Sequence, residues 1–304
     1  MEFRELATGL KFPEGPVAMD DGSIVLVEIA AGRITRVKPD GKTQTIAKPG
    51  GGPNGLAIGP DGALYVCNNG SNFTYVKRMG LTIPGHAPES HVGGQIERVD
   101  ISTGKVETLY SECDGKRLIA PNDLVFDTVG GFWFTDHGST TALGRTHGAL
   151  YYAKADGSKI TQVLRELITP NGVGLSPDGK TVYYAETFTG RLWALPLAKP
   201  GKAGKIEGFT PGQFVGAFPG LGYFDSLGVE ADGAVSVATI LAGGITTFWP
   251  GTKKVKHVAI ADPLVTNICW GGKNMKTAYI TASGTGRLLA ATWPRAGLRL
   301  NYNA

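Results

Sequence analysis

Six positions along the chain carry a short acidic or amide side chain in a similar local setting. Two are carboxylates, four are asparagines, and a short apolar stretch follows each of them. Carboxylate and amide oxygens are hard ligands that suit Ca²⁺, Mg²⁺ or Mn²⁺, and the set contains no His or Cys to favour a softer metal. We call these positions the anchors: Glu14, Asn54, Asn122, Asn171, Asp225 and Asn267.

The surroundings of the anchors also repeat. The anchors are separated by 40, 68, 49, 54 and 42 residues, and each apolar stretch leads through a turn region into a β-rich run. A second glycine then opens a third run in every unit. Asp-Gly or Gly-Gly between apolar runs predicts a hairpin turn. The turn pairs of the first five units are Asp21-Gly22, Asp61-Gly62, Gly130-Gly131, Asp178-Gly179 and Asp232-Gly233.

Six such units predict an all-β fold, namely a six-bladed β-propeller with four antiparallel strands per blade. A β-sandwich would not need six units in register, and a β-helix has shorter repeats. No stretch keeps a period of 3.6 residues, so we expect almost no helix. Residues 2–10 and 298–302 compete to close the last blade. We expect the N-terminal strand to do so, because ring closure removes open sheet edges.

The composition is that of one globular domain over residues 1–304. Apolar residues make up 42% of the chain, the net charge is +4, and the basic residues are scattered, which gives no support to nucleic-acid binding. Three widely spaced cysteines show no disulfide framework. Signal-peptide and membrane-span patterns are absent. We therefore expect a cytoplasmic protein, monomeric or a weak homo-oligomer, that binds a small molecule rather than a membrane.

Propeller topology would bring the anchors together. The first strand of each blade lines the central channel, so six positions in one register form a ring at one mouth. We expect the ring to hold one divalent cation, because Glu14 and Asp225 would be costly to bury there without one. The simpler interpretation is that Asn and Asp only cap turns. Two long inserts, residues 70–93 and 137–147, should cover this mouth, as binding loops often do.

Several motifs match one known family. They are Phe-Pro-Glu-Gly-Pro at 12–16, Pro-Asn-Asp at 121–123, Pro-Asn-Gly at 170–172 and Phe-Asp-Ser at 224–226. With them the chain resembles the SMP-30/gluconolactonase family of six-bladed propellers, which includes sugar lactonases. The resemblance implies one cation on the channel axis, preferably Ca²⁺, with Mg²⁺, Mn²⁺ or Zn²⁺ as alternatives. The ligands it implies are Glu14, Asn122, Asn171 and Asp225.

The resemblance also bears on the substrate. Asn122 corresponds to a metal ligand in some members and to a substrate contact in others. A related organophosphate-hydrolysing calcium propeller has an Asp beside this Asn, as Asp123 is here. Animal gluconolactonases carry an Arg two residues before it, where this chain has Ala120. That difference, together with the aromatic Phe218, Tyr223 and Phe224, favours a substrate less polar than a sugar lactone.

These observations lead to the hypothesis of a metal-dependent hydrolase that opens a lactone. The cation would polarise the carbonyl, Asp225 would act as general base, and His137 is a second candidate for proton transfer. A Gly-x-Ser-x-Gly motif is absent, which argues against a serine triad. Phosphotriester cleavage, isomerisation on the same metal, and a non-catalytic binding propeller remain alternatives. The residues expected to contact substrate are Asn54, Asn122, Asp123, Tyr223 and Phe73.

Overall fold

The computed structural model describes residues 1–206 and 208–303 and confirms the predicted six-bladed β-propeller. Each blade is an antiparallel sheet of four strands, and blade four carries one additional short strand. In the first half of the chain the strands are β1 (Arg4–Ala7), β2 (Pro13–Ala18), β3 (Ile24–Glu28), β4 (Arg33–Val37), β5 (Thr43–Ala47), β6 (Pro53–Ile58), β7 (Leu64–Asn68), β8 (Tyr75–Arg78), β9 (Leu81–Pro84), β10 (Gln95–Val99), β11 (Val106–Tyr110), β12 (Glu112–Cys113) and β13 (Lys116–Arg117).

The second half continues with blades three to six. Its strands are β14 (Pro121–Phe126), β15 (Gly131–Asp136), β16 (Gly148–Lys154), β17 (Ile160–Leu167), β18 (Pro170–Leu175), β19 (Thr181–Glu186), β20 (Arg191–Lys199), β21 (Lys202–Ala203), β22 (Gln213–Ala217), β23 (Tyr223–Val229), β24 (Val235–Ile240), β25 (Gly244–Phe248), β26 (Val255–Ala259), β27 (Val265–Gly271), β28 (Thr277–Ala282) and β29 (Arg287–Thr292). Among the described residues, helical structure is limited to the 3-10 turn Ile29–Ala31.

The first strands of the blades form a closed circle around the channel. Each one contacts the first strand of the next blade, in the order β2, β6, β14, β18, β23, β27 and back to β2. The last blade has the strand order β1-β29-β28-β27, so the N-terminal strand closes it as predicted. The C-terminal segment instead lies across the channel mouth opposite the anchors. There Leu298 N–H donates to Val229 O, and Asn301 donates to Phe126 O.

Each inner strand is irregular at its anchor. In all six blades the pairing with the second strand shifts register at or beside the anchor, as between Glu14 and Val17 or between Pro170 and Val173. A bulge of this kind bends a strand and re-aims a side chain, which turns the anchor toward the channel instead of into the sheet. The sequence motif Pro-Asn-Gly therefore marks a bulged strand start and not a connecting turn.

Glycines after the anchors let the blades approach each other. A Cβ at Gly172 would lie 2.5 Å from Leu227 N in the next blade, and one at Gly15 would lie 2.6 Å from Asn54 O. Gly15 also has a positive φ of 54°, which disfavours larger residues. Between blades the core is made of alternating strand residues with large buried side chains, including Trp133, Trp293 and Tyr65.

Two composition-based expectations also have structural counterparts. The three cysteines are free thiols; Cys67 and Cys113 are buried, and Cys269 is partly buried. Within residues 1–206 and 208–303, no helix has the length and apolar character needed to cross a membrane.

Candidate metal and substrate site

Four anchors converge at one mouth of the channel and leave oxygen atoms without protein partners. Glu14, Asn122 and Asn171 are at most 5% exposed, and Asp225 is partly exposed beside them. Glu14 Oε1, Asn122 Oδ1 and Asn171 Oδ1 are buried without a hydrogen-bond partner among the described residues. Leaving a polar atom buried and unpaired costs about 1–3 kcal/mol, so three at one place indicate that something else binds there.

The two best-defined ligand candidates are held so that their oxygens face the site. Asn171 Nδ2 donates to Thr187 Oγ1 at 3.0 Å, which turns Oδ1 away from the protein. Asn267 Nδ2 donates to Glu14 Oε2 at 2.7 Å, and the backbone N–H of Gly15 donates to the same oxygen. Because Oε2 is occupied in this way, Oε1 is the oxygen that Glu14 presents to the channel.

The electrostatics of the site favour a cation. Burial raises the pKa of Glu14 well above its ordinary value, and the charges of Asp225 and Asp123 raise it further. Burial also raises the pKa of Asp225 to about 7, with Asn171 lowering it and Asp123 raising it. Among the described residues, neither carboxylate forms an ion pair with a Lys or Arg. Three acids therefore repel each other in a poorly solvated place, and a divalent cation would remove that repulsion.

The donor set fits a hard cation better than a soft one. In the part of the chain that the structure describes, no three His, Cys, Asp or Glu side chains come close enough to hold an ion together. The site instead combines two carboxylates with two amide oxygens, which is the chemistry that Ca²⁺ accepts and Zn²⁺ does not prefer. Glu14, Asn122, Asn171 and Asp225 are thus the residues that would hold it.

A cavity of about 440 Å³ opens above these oxygens. Its polar floor is formed by the four ligand candidates and Asn54. Its walls are mainly apolar, and they come from both inserts, from blade one and from the loops of blades four to six. The apolar and aromatic wall residues are Phe12, Ile29, Phe73, Tyr75, Ile83, Pro84, Phe188, Tyr223, Ile240, Leu241 and Leu264.

The first insert roofs the cavity with the β8–β9 hairpin. The hairpin projects from blade two, and Thr82 N–H donates to Gly284 O of blade six at 2.8 Å. On its other side, Ala87 N–H donates to Thr140 O, and Asn72 Nδ2 donates to Gly138 O, so the two inserts are joined. The expectation that both inserts cover the anchor mouth agrees with this geometry.

His137 lies in the cavity wall as a neutral imidazole. It is 5% exposed and packs edge-on against Phe73, with ring centroids 5.7 Å apart. Its pKa is lowered to about 4, mainly by burial and to a lesser extent by the charge of Arg145, against the hydrogen bond to Gly138. Its Nδ1 lies 3.3 Å from Gly138 O and so carries the proton in that contact, which leaves Nε2 as an acceptor.

The structure separates the residues proposed from sequence into two groups. One group lines the cavity: Glu14, Asn54, Phe73, Asn122, His137, Asn171, Tyr223 and Asp225. The second group lies elsewhere. Asp123 lines the deeper channel on the far side of the anchors, so its role as a substrate contact gains no support from the cavity.

The aromatic residues of blade five divide in the same way. Tyr223 and Asp225 are two apart on β23 and face the cavity, whereas Phe224 between them points into the blade core against Phe248. Phe218 packs on His257 and also lies outside the cavity wall. Of the three aromatics taken as a sign of a less polar substrate, only Tyr223 lies in the cavity wall among the described residues. Phe224 faces the other way because side chains alternate along a strand.

Sequence reasoning missed the roles of five residues of the site. It assigned no role to Thr187, Arg145, Phe188 or the Tyr75 hydroxyl, and it took Asn267 only as one more anchor of the ring. Asn267 supports Glu14 instead of lining the cavity. A usable signal was present for Thr187, which follows Asn171 by 16 residues at the end of a second strand, where the chain returns to the anchor mouth.

The fold and the site together define a class of protein. Its members are six-bladed propellers in which one mouth of the channel is lined with oxygen atoms and covered by loops. The family model described as "SMP-30/Gluconolactonase/LRE-like region" matches residues 12–284. The chain therefore belongs to this family. Its resemblance to the family at the level of motifs is thereby confirmed.

Named relatives and solved structures agree with that membership. The chain is 30% identical over 236 residues to a protein named lactonase drp35 from Staphylococcus saprophyticus, covering 75% of this chain and 63% of the relative. It is 25% identical to a gluconolactonase from Zymomonas mobilis, covering 91% of this chain and 78% of the relative. The chain thus spans less than two thirds of the staphylococcal relative.

The solved structures show the fold. A Xanthomonas campestris gluconolactonase matches with a TM-score of 0.75 at 20% identity, covering 96% of this chain and 89% of that chain. A protein described as calcium-binding regucalcin, from Agrobacterium tumefaciens, matches with a TM-score of 0.75 at 19% identity, covering 100% and 97%.

Proposed function

We propose that this protein is a calcium-dependent lactonase, that is, a hydrolase that opens a cyclic ester at the anchor mouth. The observation that carries the proposal is the set of buried oxygens without partners on Glu14, Asn122 and Asn171, next to Asp225. Relatives named lactonase and gluconolactonase support the reaction, and the calcium-binding description of the regucalcin structure supports the metal.

A bound Ca²⁺ would act as a Lewis acid on the substrate carbonyl. In this scheme Asp225 accepts a proton from the attacking water, and the position of its carboxylate at the cavity floor beside Asn171 supports that role. The water oxygen bonds to the carbonyl carbon, and the ring C–O bond then breaks. The ring oxygen takes up the proton from Asp225, so the product is a hydroxy acid and the carboxylate is restored.

His137 has a narrower role in this scheme. Its lowered pKa keeps it neutral at physiological pH, so it cannot supply a proton as an imidazolium. Its free Nε2 is instead an acceptor for a substrate hydroxyl or for the attacking water. Asn54, also on the cavity floor, can bind a second polar group of the substrate.

The test is a hydrolysis assay on a panel of lactones, with organophosphate triesters included because a cation would also polarise a phosphoryl oxygen. Activity is measured after calcium removal and after calcium is added back. Glu14→Gln and Asp225→Asn should each reduce kcat/KM by at least about 100-fold, as expected for loss of a metal ligand or a base. Asp20→Asn, an exposed change of the same type, should not.

Two results would contradict the proposal. One is full turnover by the chelated protein, which would remove the metal from the reaction. The other is hydrolysis of triesters with no hydrolysis of any lactone, which would leave the metal site and reassign the reaction. Calcium binding by calorimetry without turnover of either class would instead favour a binding propeller.

A further inference from the structure

We infer that Arg145 recognises an anionic group on the substrate, so that the preferred lactone has an apolar body and a carboxylate or similar anion at its outer end. The inference rests on the proposed lactonase function. Arg145 supplies the one Lys or Arg side chain among the described residues that line the cavity. Arg145 stands at the mouth of the cavity, opposite the polar floor. A bound cation would neutralise the acids of that floor.

The Arg145 side chain is held in place by three contacts. Its backbone pairs with Thr140 across a tight hairpin, and its Nε donates to Thr140 Oγ1 at 3.0 Å. Its guanidinium carbon lies 3.9 Å from the ring centroid of Phe188. Phe188 in turn packs edge-on against Tyr223 at 5.2 Å, which joins the arginine to the cavity wall. Such stacking fixes the plane of the guanidinium.

The two terminal nitrogens of Arg145 remain available. Within residues 1–206 and 208–303, Arg145 makes no ion pair with an Asp or Glu, and its Nη atoms donate no hydrogen bond. A guanidinium with its Nη atoms free presents a fork that matches a carboxylate. The largely apolar wall between this fork and the polar floor suits an aromatic or alkyl body and not a polyhydroxylated sugar.

The test compares two lactones that differ only in the anion. γ-Phenyl-γ-butyrolactone and its para-carboxylate analogue are assayed with the parent protein, Arg145→Gln and Arg145→Lys. Arg145→Gln should raise KM for the carboxylate about tenfold, the size of one charge-assisted interaction, and should change the neutral lactone less than twofold. Arg165→Gln, an exposed arginine on β17, is the matched control and should change neither.

The outcomes separate this inference from the proposed function. If neither lactone is hydrolysed but another lactone of the panel is, the inference about an anionic aromatic substrate is overturned, and if no lactone of the panel is hydrolysed, the proposed function fails. If both are hydrolysed and Arg145→Gln affects them equally, the inference about the anion is overturned while the lactonase stands. A selective rise in KM that 0.5 M NaCl reproduces in the parent protein supports the anion site, because an exposed ion pair is screened by salt.

A separate observation assigns a role to Tyr75. We propose that its hydroxyl donates a hydrogen bond to the substrate carbonyl oxygen, where negative charge develops. The hydroxyl oxygen is buried without a partner among the described residues, and the ring lines the cavity. Tyr75 lies on β8 of the roof and packs on Phe12, with ring centroids 5.2 Å apart. The hairpin and this contact fix the orientation of the tyrosine ring.

Tyr75 lines the same cavity as Glu14 and Asp225 of the floor. A tyrosine hydroxyl is protonated at neutral pH, and burial raises the pKa of Tyr75, so the group stays a hydrogen-bond donor. The carbonyl oxygen of a bound lactone would be approached from the floor by the metal site and from the roof by this O–H. An oxyanion donor of this kind typically contributes about 100-fold to kcat.

Tyr75→Phe tests the role because it keeps the ring and removes only the O–H. We expect kcat to fall about 10- to 100-fold with little change in KM, and calcium affinity to stay unchanged. The melting temperature should not fall, because the variant loses a buried group that has no partner. Tyr183→Phe, outside the cavity, is the control. A kcat within twofold of the parent, or a parallel loss of calcium affinity, would overturn the assignment.

Discussion

Asp123 provides a quantitative test of the electrostatics below the metal site. It is 7% exposed, and burial raises its pKa from the ordinary 3.8 to about 7, although Leu124 N–H donates to its Oδ1 at 2.9 Å. The folded protein therefore holds a proton on Asp123 at pH values where the unfolded chain has lost it. Stability must then fall as pH rises from about 4 to 7.

The magnitude follows from the two pKa values. One pKa unit corresponds to about 1.4 kcal/mol, so the full penalty above pH 7 is about 4 kcal/mol. Between pH 5 and pH 8 the free energy of unfolding should fall by about 2.5 kcal/mol through this one group. His137 changes the free energy of unfolding in the opposite direction. Its pKa is lowered to about 4 in the folded protein, so its contribution to stability increases as pH rises.

Asp123→Asn separates the two contributions, since His137 is common to both proteins. In metal-free protein, the difference in free energy of unfolding between variant and parent should shift in favour of the variant by at least about 2.5 kcal/mol from pH 5 to pH 8. The loss of the Asp123 charge also lowers the raised pKa values of Glu14 and Asp225, which acts in the same direction. Urea titrations at three pH values measure it. Any fixed cost of replacing the carboxylate by an amide is independent of pH and cancels.

Asp20→Asn, an exposed substitution of the same type, serves as the reference. Added calcium should reduce the slope for Asp123→Asn, since a nearby cation stabilises the ionised carboxylate in the parent. A difference that is flat or has the opposite slope in metal-free protein would refute the reasoning that Asp123 is buried without a countercharge.

Two further substitutions test how the site is supported. Asn267→Ala removes the amide that holds Glu14 Oε2 at 2.7 Å, so calcium affinity by calorimetry should fall about 10- to 100-fold, whereas unchanged affinity would exclude a positioning role. Gly172→Ala would place a Cβ 2.5 Å from Leu227 N and should lower the free energy of unfolding by about 1–3 kcal/mol. Gly144→Ala, with no heavy atom within 4 Å of its Cβ, is the control, and equal losses would contradict the packing argument.

The fold and the ring of anchors could be predicted because both repeat. Six units in register fix the number of blades, and one register places Glu14, Asn122, Asn171 and Asp225 at one mouth whatever the details of packing. The role of the N-terminal strand followed from the need to close the ring. None of these conclusions depends on which way an individual side chain turns beyond its alternation along the strand.

The cavity walls could not be predicted because they do not repeat. Ile83 of the roof packs near Leu264, which precedes blade six, because the β8–β9 hairpin extends across the cavity. The hairpin reaches Gly284 through tertiary contacts. Arg145 likewise comes to the site through stacking on Phe188 from another blade. Contacts between inserts of different blades leave no periodic trace in the sequence, so substrate preference has to be taken from the structure.

One repeating feature of the site was present in the sequence and was not used. At the end of the second strand, 14 or 15 residues after the anchor, four blades carry an acid or amide whose oxygen accepts backbone N–H groups just before the anchor. Examples are Glu28, which binds Lys11 N–H at 2.8 Å, and Asp136, which binds Ala120 N–H at 2.8 Å. The full set is Glu28, Asn68, Asp136 and Glu186.

This second ring explains why the anchors are available for a ligand. Asn and Asp side chains near a strand start usually bond to nearby backbone N–H groups. Here the residues one strand away satisfy those N–H groups, so Asn122 and Asn171 need not do so, and their carbonyl oxygens remain unpaired. If Asp136 were changed to Ala, the N–H groups of Ile119 and Ala120 would lose their acceptor. Asn122 could then turn toward them, which would weaken calcium binding without any change in a ligand.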